Sequence, residues 1–261
     1  MYVFSEEYIT KLLQGIFDGS ITPYELPTNL YFDIAEYLKK GLYEGFGATL
    51  ADLVPDSTDY ELLAELRENI YMFSAAKTYQ ETREMTDMLT DGDKVRSFRE
   101  FKEEASKVFT QYNENYLRTE YNTAIGQAQM ASKWQQIERD KDIFPNLRYS
   151  TIGDACKICG PLDGFTAPVD DPAWDTITPM NHFECACVLE QHDEDAELTP
   201  KEDRDELLDT ASGLMQPTFR MNPGKDKVVF DKEHPYFDVA PKDRDFAEMN
   251  FGLPIPEDDG E

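Results

Sequence analysis

Residues 153–164 read GDACKICGPLDG, and residues 179–189 read PMNHFECACVL. Every cysteine of the 261-residue chain lies in these two stretches: Cys156, Cys159, Cys185 and Cys187, with His182 among them. The pattern is C-x2-C, then twenty-two residues, then H-x2-C-x-C. Two thiolates two residues apart grip one tetrahedral cation, and a second cluster downstream completes its shell. The spacing predicts one structural zinc held by Cys156, Cys159, His182 and Cys185, with Cys187 as an alternate ligand or a neighbouring thiol. Cys185 is preferred because His-x2-Cys mirrors Cys-x2-Cys. Residues 185–189 read as a short strand, on which Cys185 and Cys187 share a face, so the sequence leaves that choice open.

The surroundings explain why a cation is wanted. LRYSTIG, from Leu147, alternates like a strand, CKICG reads as a knuckle turn with Gly160 at positive φ, and Asp163-Gly164 is a hairpin signal. TAPVDDPAWDTITPMN is rich in proline and shows no period. A loop with little core of its own needs a staple, and structural zinc contributes on the order of 10–16 kcal/mol to folding.

Before Asn146 the pattern is helical. Tyr8, Leu12, Leu13 and Ile16 recur at helical spacing after Ser5, a candidate N-cap, and Gly19 ends that run. Thr28 is expected to cap a second helix through Leu30, Ile34, Leu38 and Leu42, stopped at Gly45 and Gly47. A third begins near Asp56, Ser57 and Thr58 and runs through Leu62, Leu66, Ile70 and Phe73, with a break at Asp91, Gly92 and Asp93. Phe98, Phe101, Ala105, Val108 and Tyr112 mark a fourth; Leu117, Tyr121, Ala124, Ala128 and Ala131 mark a fifth or its continuation. Such stripes are core faces. Pro145 closes the helical part.

Residues 190–209 hold ten acids against two bases. Within them TPKEDRDELLD reads as a short helix capped by Thr199 with Pro200 at its first position. The remainder is irregular, and residues 252–261 read as disordered. The expected fold is therefore a mainly α N-terminal domain (1–145), a small zinc-stapled α+β module (146–190), and an acidic, extended, partly disordered C-terminal region (191–261).

The net charge of -28 comes from 53 acids and 25 bases. Few cations are available to displace counterions from phosphates, so direct DNA binding is not expected. No run of about eighteen apolar residues appears, so no membrane span is expected. The start lacks a basic then apolar leader, which with the metal-type cysteines points to a reducing cytoplasm. His192, in the acidic stretch, and His234, before Pro235, read as a solvated and a turn residue.

Catalytic zinc keeps an open position and a nearby carboxylate base. Glu184 in HFEC suggests the H-x-E of nucleobase deaminases, but there the C-x-x-C follows and proline precedes it. Here the order is reversed and Ala155 precedes Cys156. A zinc hydrolase or deaminase using Glu184 is the rival to a closed staple, which has no catalytic residues. A host-directed effector carrying the same module is the third reading.

Three stretches carry a family likeness: RTEYNTAIGQAQMASKWQQI at 118–137, YSTIGDACKICGPLDG at 149–164 and PMNHFECACVL at 179–189. Over about residues 95–190 the chain resembles the Mu F-like, or SPP1-type, phage head morphogenesis proteins, also called minor head proteins. The resemblance implies a non-enzymatic protein of the tailed-phage head, acting in capsid assembly and in genome packaging or delivery. It implies the portal and other head proteins as partners, and a location in the virion head after assembly in the host cytoplasm. Related modules are joined to toxin domains, but the stretch after residue 190 is too short for one. The family often has proline after the first cysteine and a basic residue inside the last C-x-C. Lys157 and Ala186 stand there instead, changes that spare the donors but remove a basic contact point.

Overall fold

The computed structural model describes residues 4–153 and 156–256. The described chain is mostly helical, with two small antiparallel sheets. Helices α1 (Glu6–Asp18), α2 (Thr28–Phe46), α3 (Thr58–Asp87), α4 (Phe98–Thr110) and α5 (Leu117–Asp140) follow the sequence stripes. Between α3 and α4, strands β1 (Thr90–Asp91) and β2 (Lys94–Val95) pair around the predicted break, with Gly92 at φ 58°.

The helix ends have local causes. Ser5 caps α1 by accepting from the Tyr8 N–H at 3.2 Å, and Gly19 ends it in the left-handed region. Ser97 opens α4 in a reciprocal capping box with Glu100, an arrangement contributing about 1 kcal/mol. Thr28 is the first residue of α2 rather than its cap, since the Tyr31 N–H already bonds to the Pro27 carbonyl. Gly45 does not stop α2 but lies inside it. A Cβ there would sit 2.2 Å from the Ile125 carbonyl oxygen of α5, so glycine is what allows that close approach. The stop is Gly47 alone, at φ 83°. α4 runs on into α5 through a π-helical stretch, Gln111–Tyr116.

Two compact units form, each from separated segments. One takes the described residues of Met1–Lys40, Glu68–Tyr121 and Pro235–Glu261; the other takes Gly41–Arg67 and the described residues of Asn122–His234.

In the first unit the middle of α3 is buried almost all round, polar residues included: Ser74, Lys77, Thr78, Glu81 and Thr82 join Phe73, Ala76 and Tyr79. Lys77 Nζ lies 2.9 Å from both carboxylate oxygens of Glu120 and donates to the Tyr112 carbonyl at 2.8 Å. That carbonyl also accepts the Leu117 N–H, the wide i to i+5 bond of the π turn. The ammonium lies 5.2 Å from the ring centroids of both Tyr112 and Tyr236, and the Tyr236 hydroxyl donates to Glu120 at 2.9 Å. Burial pushes the Glu81 carboxyl up to about 8, against the pull of Lys77 and Asn113. The C-terminal stretch packs here too. Tyr24 and Tyr79 both donate to Asp243, Leu253 is buried, and the Pro254 carbonyl accepts from Tyr31. The expected disorder does not hold for 252–256, and 257–261 lie outside the described residues.

The second unit holds the sheet. β3 (Asn146–Ser150) runs between β4 (Thr166–Pro168) and β5 (Val188–His192), antiparallel to both. Leu147 and Tyr149 face a core with Trp134, Phe165, Trp174 and Leu189. Trp174 opens a short helix, α6 (Trp174–Ile177), and meets Phe165 edge-on at 5.3 Å. The proline-rich loop thus has an aromatic core, contrary to expectation, because its few large side chains all point inward. Helix α7 (Lys201–Leu214) follows, with Pro200 rather than Thr199 before its first turn. Thr199 instead exchanges hydrogen bonds with Thr166 at the sheet edge, 2.9 and 3.0 Å.

Candidate metal centre

The two donor segments leave the sheet at neighbouring points. β3 ends at Ser150, and both the N–H and the hydroxyl of Thr151 donate to Asp163, at 2.9 and 2.8 Å. This clasp closes the loop carrying Cys156 and Cys159, and those bonds hold the Asp163 carboxyl below its usual range. The knuckle then winds into a 3-10 turn, Gly160–Leu162, with the Gly160 N–H bonded to the Cys156 carbonyl at 2.8 Å. Gly160 is therefore not at positive φ; Gly164, at φ 79°, is the residue that takes it on the way into β4. The Asp163-Gly164 pair makes this entry turn rather than a tight hairpin.

The second segment precedes β5. Cys185 and Cys187 lie before its first residue, Val188, not on a strand. Their convergence comes from the turn, in which the Cys185 N–H meets the His182 carbonyl at 3.2 Å. Glu184 closes that turn at φ 59°, a conformation costing a non-glycine residue roughly 1–2 kcal/mol.

Among the described residues the five predicted donors fall into two overlapping groups of three rather than one group holding the predicted four. Cys156 Sγ, Cys159 Sγ and a ring nitrogen of His182 lie within 4.8 Å of one another, and so do the sulfurs of Cys159, Cys185 and Cys187. Cys159, fully buried, belongs to both groups. Cys156 Sγ is 3.2 Å from His182 Nε2, and Cys159 Sγ is 3.8 Å from Cys185 Sγ. Zinc–sulfur bonds of about 2.3 Å at tetrahedral angles set two sulfurs about 3.8 Å apart. The four cysteines are free thiols.

The imidazole is prepared to ligate. His182 Nδ1 lies 2.7 Å from the Phe183 carbonyl oxygen, which only accepts, so Nδ1 carries the proton. In the neutral ring Nε2 then keeps its lone pair, turned toward Cys156 Sγ. This outer hydrogen bond is the usual partner of a metal-bound histidine. Burial lowers the basicity of the ring, but the Phe183 carbonyl and the sulfurs of Cys185 and Cys156 outweigh it and raise it.

The thiols divide by environment. Burial raises Cys156, yet the N–H groups of Cys159 and Ile158 and the His182 ring bring it below a free thiol. Cys185 is lowered by hydrogen bonds from Cys159 and Cys187, assisted by the N–H groups of Asn181 and Cys187. Cys159 is pushed up by Cys185 and Cys187 and by burial. Sulfurs this close cannot all hold negative charge unless a cation sits among them. The chemistry of the donor set thus fits a soft divalent ion, and the cluster is compatible with a metal site. A cavity of about 240 Å³ beside α5, lined by Gly126, Met130, Met180, Cys185 and Cys187, gives the last two thiols their partial exposure.

Glu184 is exposed and belongs to neither donor group among the described residues. His192 lies on β5, 3.6 Å from Glu190, and His234 is buried in a turn; neither joins the cluster. Sequence reading passed over Tyr149, buried in the core cluster that holds Cys159, and Asn181, buried and bonded to its hydroxyl. The only hint was their position, flanking the two donor segments.

Residues 68–190 match the family model described as Phage Mu protein F like protein. The chain carries a phage Mu F-like domain. It begins inside α3, earlier than the expected 95, and ends in β5. No curated protein and no solved structure matches the chain. The Mu F-like domain contains every candidate donor, and it is the domain of the phage Mu F-like head morphogenesis family. No described helix is long and apolar enough to cross a membrane.

Proposed function

We propose that the chain is a structural minor head protein of a tailed phage or prophage, associated with the portal and acting in capsid assembly and in genome packaging or delivery. The match of residues 68–190 to the Mu F-like family carries this reading. Within it, residues 146–190 form a module in which zinc is held by Cys156, Cys159, His182 and Cys185, with Cys187 as alternate ligand. Bound there, zinc cross-links the segment after β3 to the segment before β5, and supplies no chemistry to a substrate. The acidic surface, at a net charge of -28, suits a protein that works beside packaged DNA without adhering to it. The portal and other head components are the partners, and the head is its location after assembly in the host cytoplasm.

The test is mass spectrometry of purified proheads and heads from the phage or prophage encoding the chain. The expected result is the chain present in a few copies per particle, cross-linking to the portal. A chain made in infected cells but absent from particles and from portal complexes contradicts the reading.

A further inference from the structure

The first unit buries two carboxylates and one ammonium close together. Lys77 and Glu81, one turn apart on α3, are both fully buried, and Glu120 of α5 is nearly so. The ammonium is already committed: it meets both oxygens of Glu120 and donates to the Tyr112 carbonyl. Glu81 has a neutral partner instead. Its Oε1 accepts from Asn113 Nδ2 at 2.5 Å, and Asn113 is held by also donating to the Phe109 carbonyl at 3.2 Å. The other oxygen, Oε2, is buried without a hydrogen-bond partner among the described residues. The remaining titratable groups around Glu81 are Glu84 on its own helix, Tyr112 on the π-helical stretch and Tyr236 from the C-terminal stretch. None is a cation, and the two phenols give their hydrogens to Glu84 and Glu120. A carboxylate taken out of water without a cation of its own is far costlier than the neutral acid, so such a group keeps its proton. Burial raising Glu81 to about 8 agrees with this count of charges.

We propose that Glu81 is a proton-held latch of the first unit: neutral in the folded chain, it loosens the π turn and the C-terminal stretch around Tyr236 when it ionises and draws Lys77 away from Glu120. While Glu81 keeps its proton the cluster balances, one ammonium to one carboxylate. Loss of that proton to water leaves two carboxylates competing for one ammonium. The Tyr112 carbonyl then loses the Lys77 donor where the helix is already widened. Tyr236, whose hydroxyl donates to Glu120 and whose ring centroid lies 5.2 Å from the ammonium, loses its anchor as well. Every member of the cluster belongs to the first unit, so the latch works without the cysteine–histidine donors. In the unfolded chain Glu81 titrates at its ordinary value of 4.5. Between that value and the raised one, unfolding releases a proton, so stability falls as pH rises, about tenfold in the folding constant per pH unit. The fall ends once the folded chain is ionised too.

The experiment is urea unfolding of the full chain and of Glu81→Gln from about pH 5 to about pH 9, with hydrogen exchange of both proteins at about pH 6 and about pH 9. Glutamine keeps the carbonyl that accepts from Asn113 and has no proton to lose. The folding constant of the unchanged protein, divided by that of Glu81→Gln, is expected to fall about 100-fold between about pH 6 and about pH 8. At the alkaline end, amides in 111–117 and 235–239 should exchange faster in the unchanged protein than in Glu81→Gln; at the lower pH the two should match. If Glu81→Gln does not fold, Glu81→Met gives the same ratio. The infrared band of a neutral carboxylic acid in the folded, unchanged protein reads the proton directly, and should be present at about pH 6 and lost by about pH 9. A ratio that stays flat with pH overturns the proposal, as does the absence of that band at the lower pH. So does a falling ratio with exchange in both segments identical in the two proteins.

Discussion

Serine in place of Cys159 is expected to abolish metal retention. Cys159 is the donor common to both groups, its sulfur 3.8 Å from that of Cys185 and its N–H bonded to Cys156 Sγ at 3.3 Å. No other sulfur in the cluster replaces it, whereas Cys187→Ser leaves Cys185 in position. The metal content of Cys159→Ser should fall from about one ion per chain to near zero, and that of Cys187→Ser should stay close to one. Removing a structural zinc forfeits free energy on the order of 10 kcal/mol in modules that have little else. Here Trp174, Phe165 and Leu147 keep a core without the ion. The variant should therefore lose order in the two donor segments rather than unfold outright. Limited proteolysis reads this as new cuts in 151–187 with the helices still protected. A Cys159→Ser chain that keeps its metal contradicts the ligand assignment.

Methionine in place of Lys77 should be the most destabilising change away from the cysteine–histidine cluster. Lys77 and Glu120 are both buried, and the ammonium is the partner of both Glu120 oxygens. Removing one member of a buried ion pair strands the other charge, which costs about 3–5 kcal/mol. The Tyr112 carbonyl also loses a donor where the backbone is already widened into a π turn. Urea unfolding should show the unfolding free energy falling by that amount, and the double variant Lys77→Met with Glu120→Leu should recover most of the loss, because no charge is then left unpaired. A Lys77→Met chain within about 0.5 kcal/mol of the unchanged protein, the usual range of a surface substitution, contradicts this account of the first unit.

The helices and the cysteine–histidine cluster stood out in the sequence for different reasons. Period and punctuation placed five helices and the break at Gly92, since apolar stripes and turn residues act locally. Donor spacing pointed to Cys156, Cys159, His182, Cys185 and Cys187, because ligand identity and interval are themselves the signal; the fold arranges them as two groups of three that share Cys159. Gly45 misled as a helix stop because the Ile125 backbone that requires it lies eighty residues away. Cys185 and Cys187 were set on a strand because C-A-C-V-L alternates, but Glu184 at positive φ makes the chain turn there and pairing begins only at Val188.

The buried polar groups were not legible. Lys77 sits in a helix buried almost all round, where no stripe separates inside from outside and a lysine reads as surface. Its partner Glu120 is forty-three positions on. Tyr149 and Asn181 read as an ordinary strand residue and a loop residue; only the folded arrangement buries both and bonds the amide to the phenol. The aromatic core of residues 146–190 was hidden likewise, since Phe165 and Trp174 meet through a loop without a period.

The most direct test of the metal centre is the zinc content of the full chain purified without added metal, measured by elemental analysis against protein concentration. The account predicts about one zinc per chain. A well-folded chain with no bound metal contradicts it.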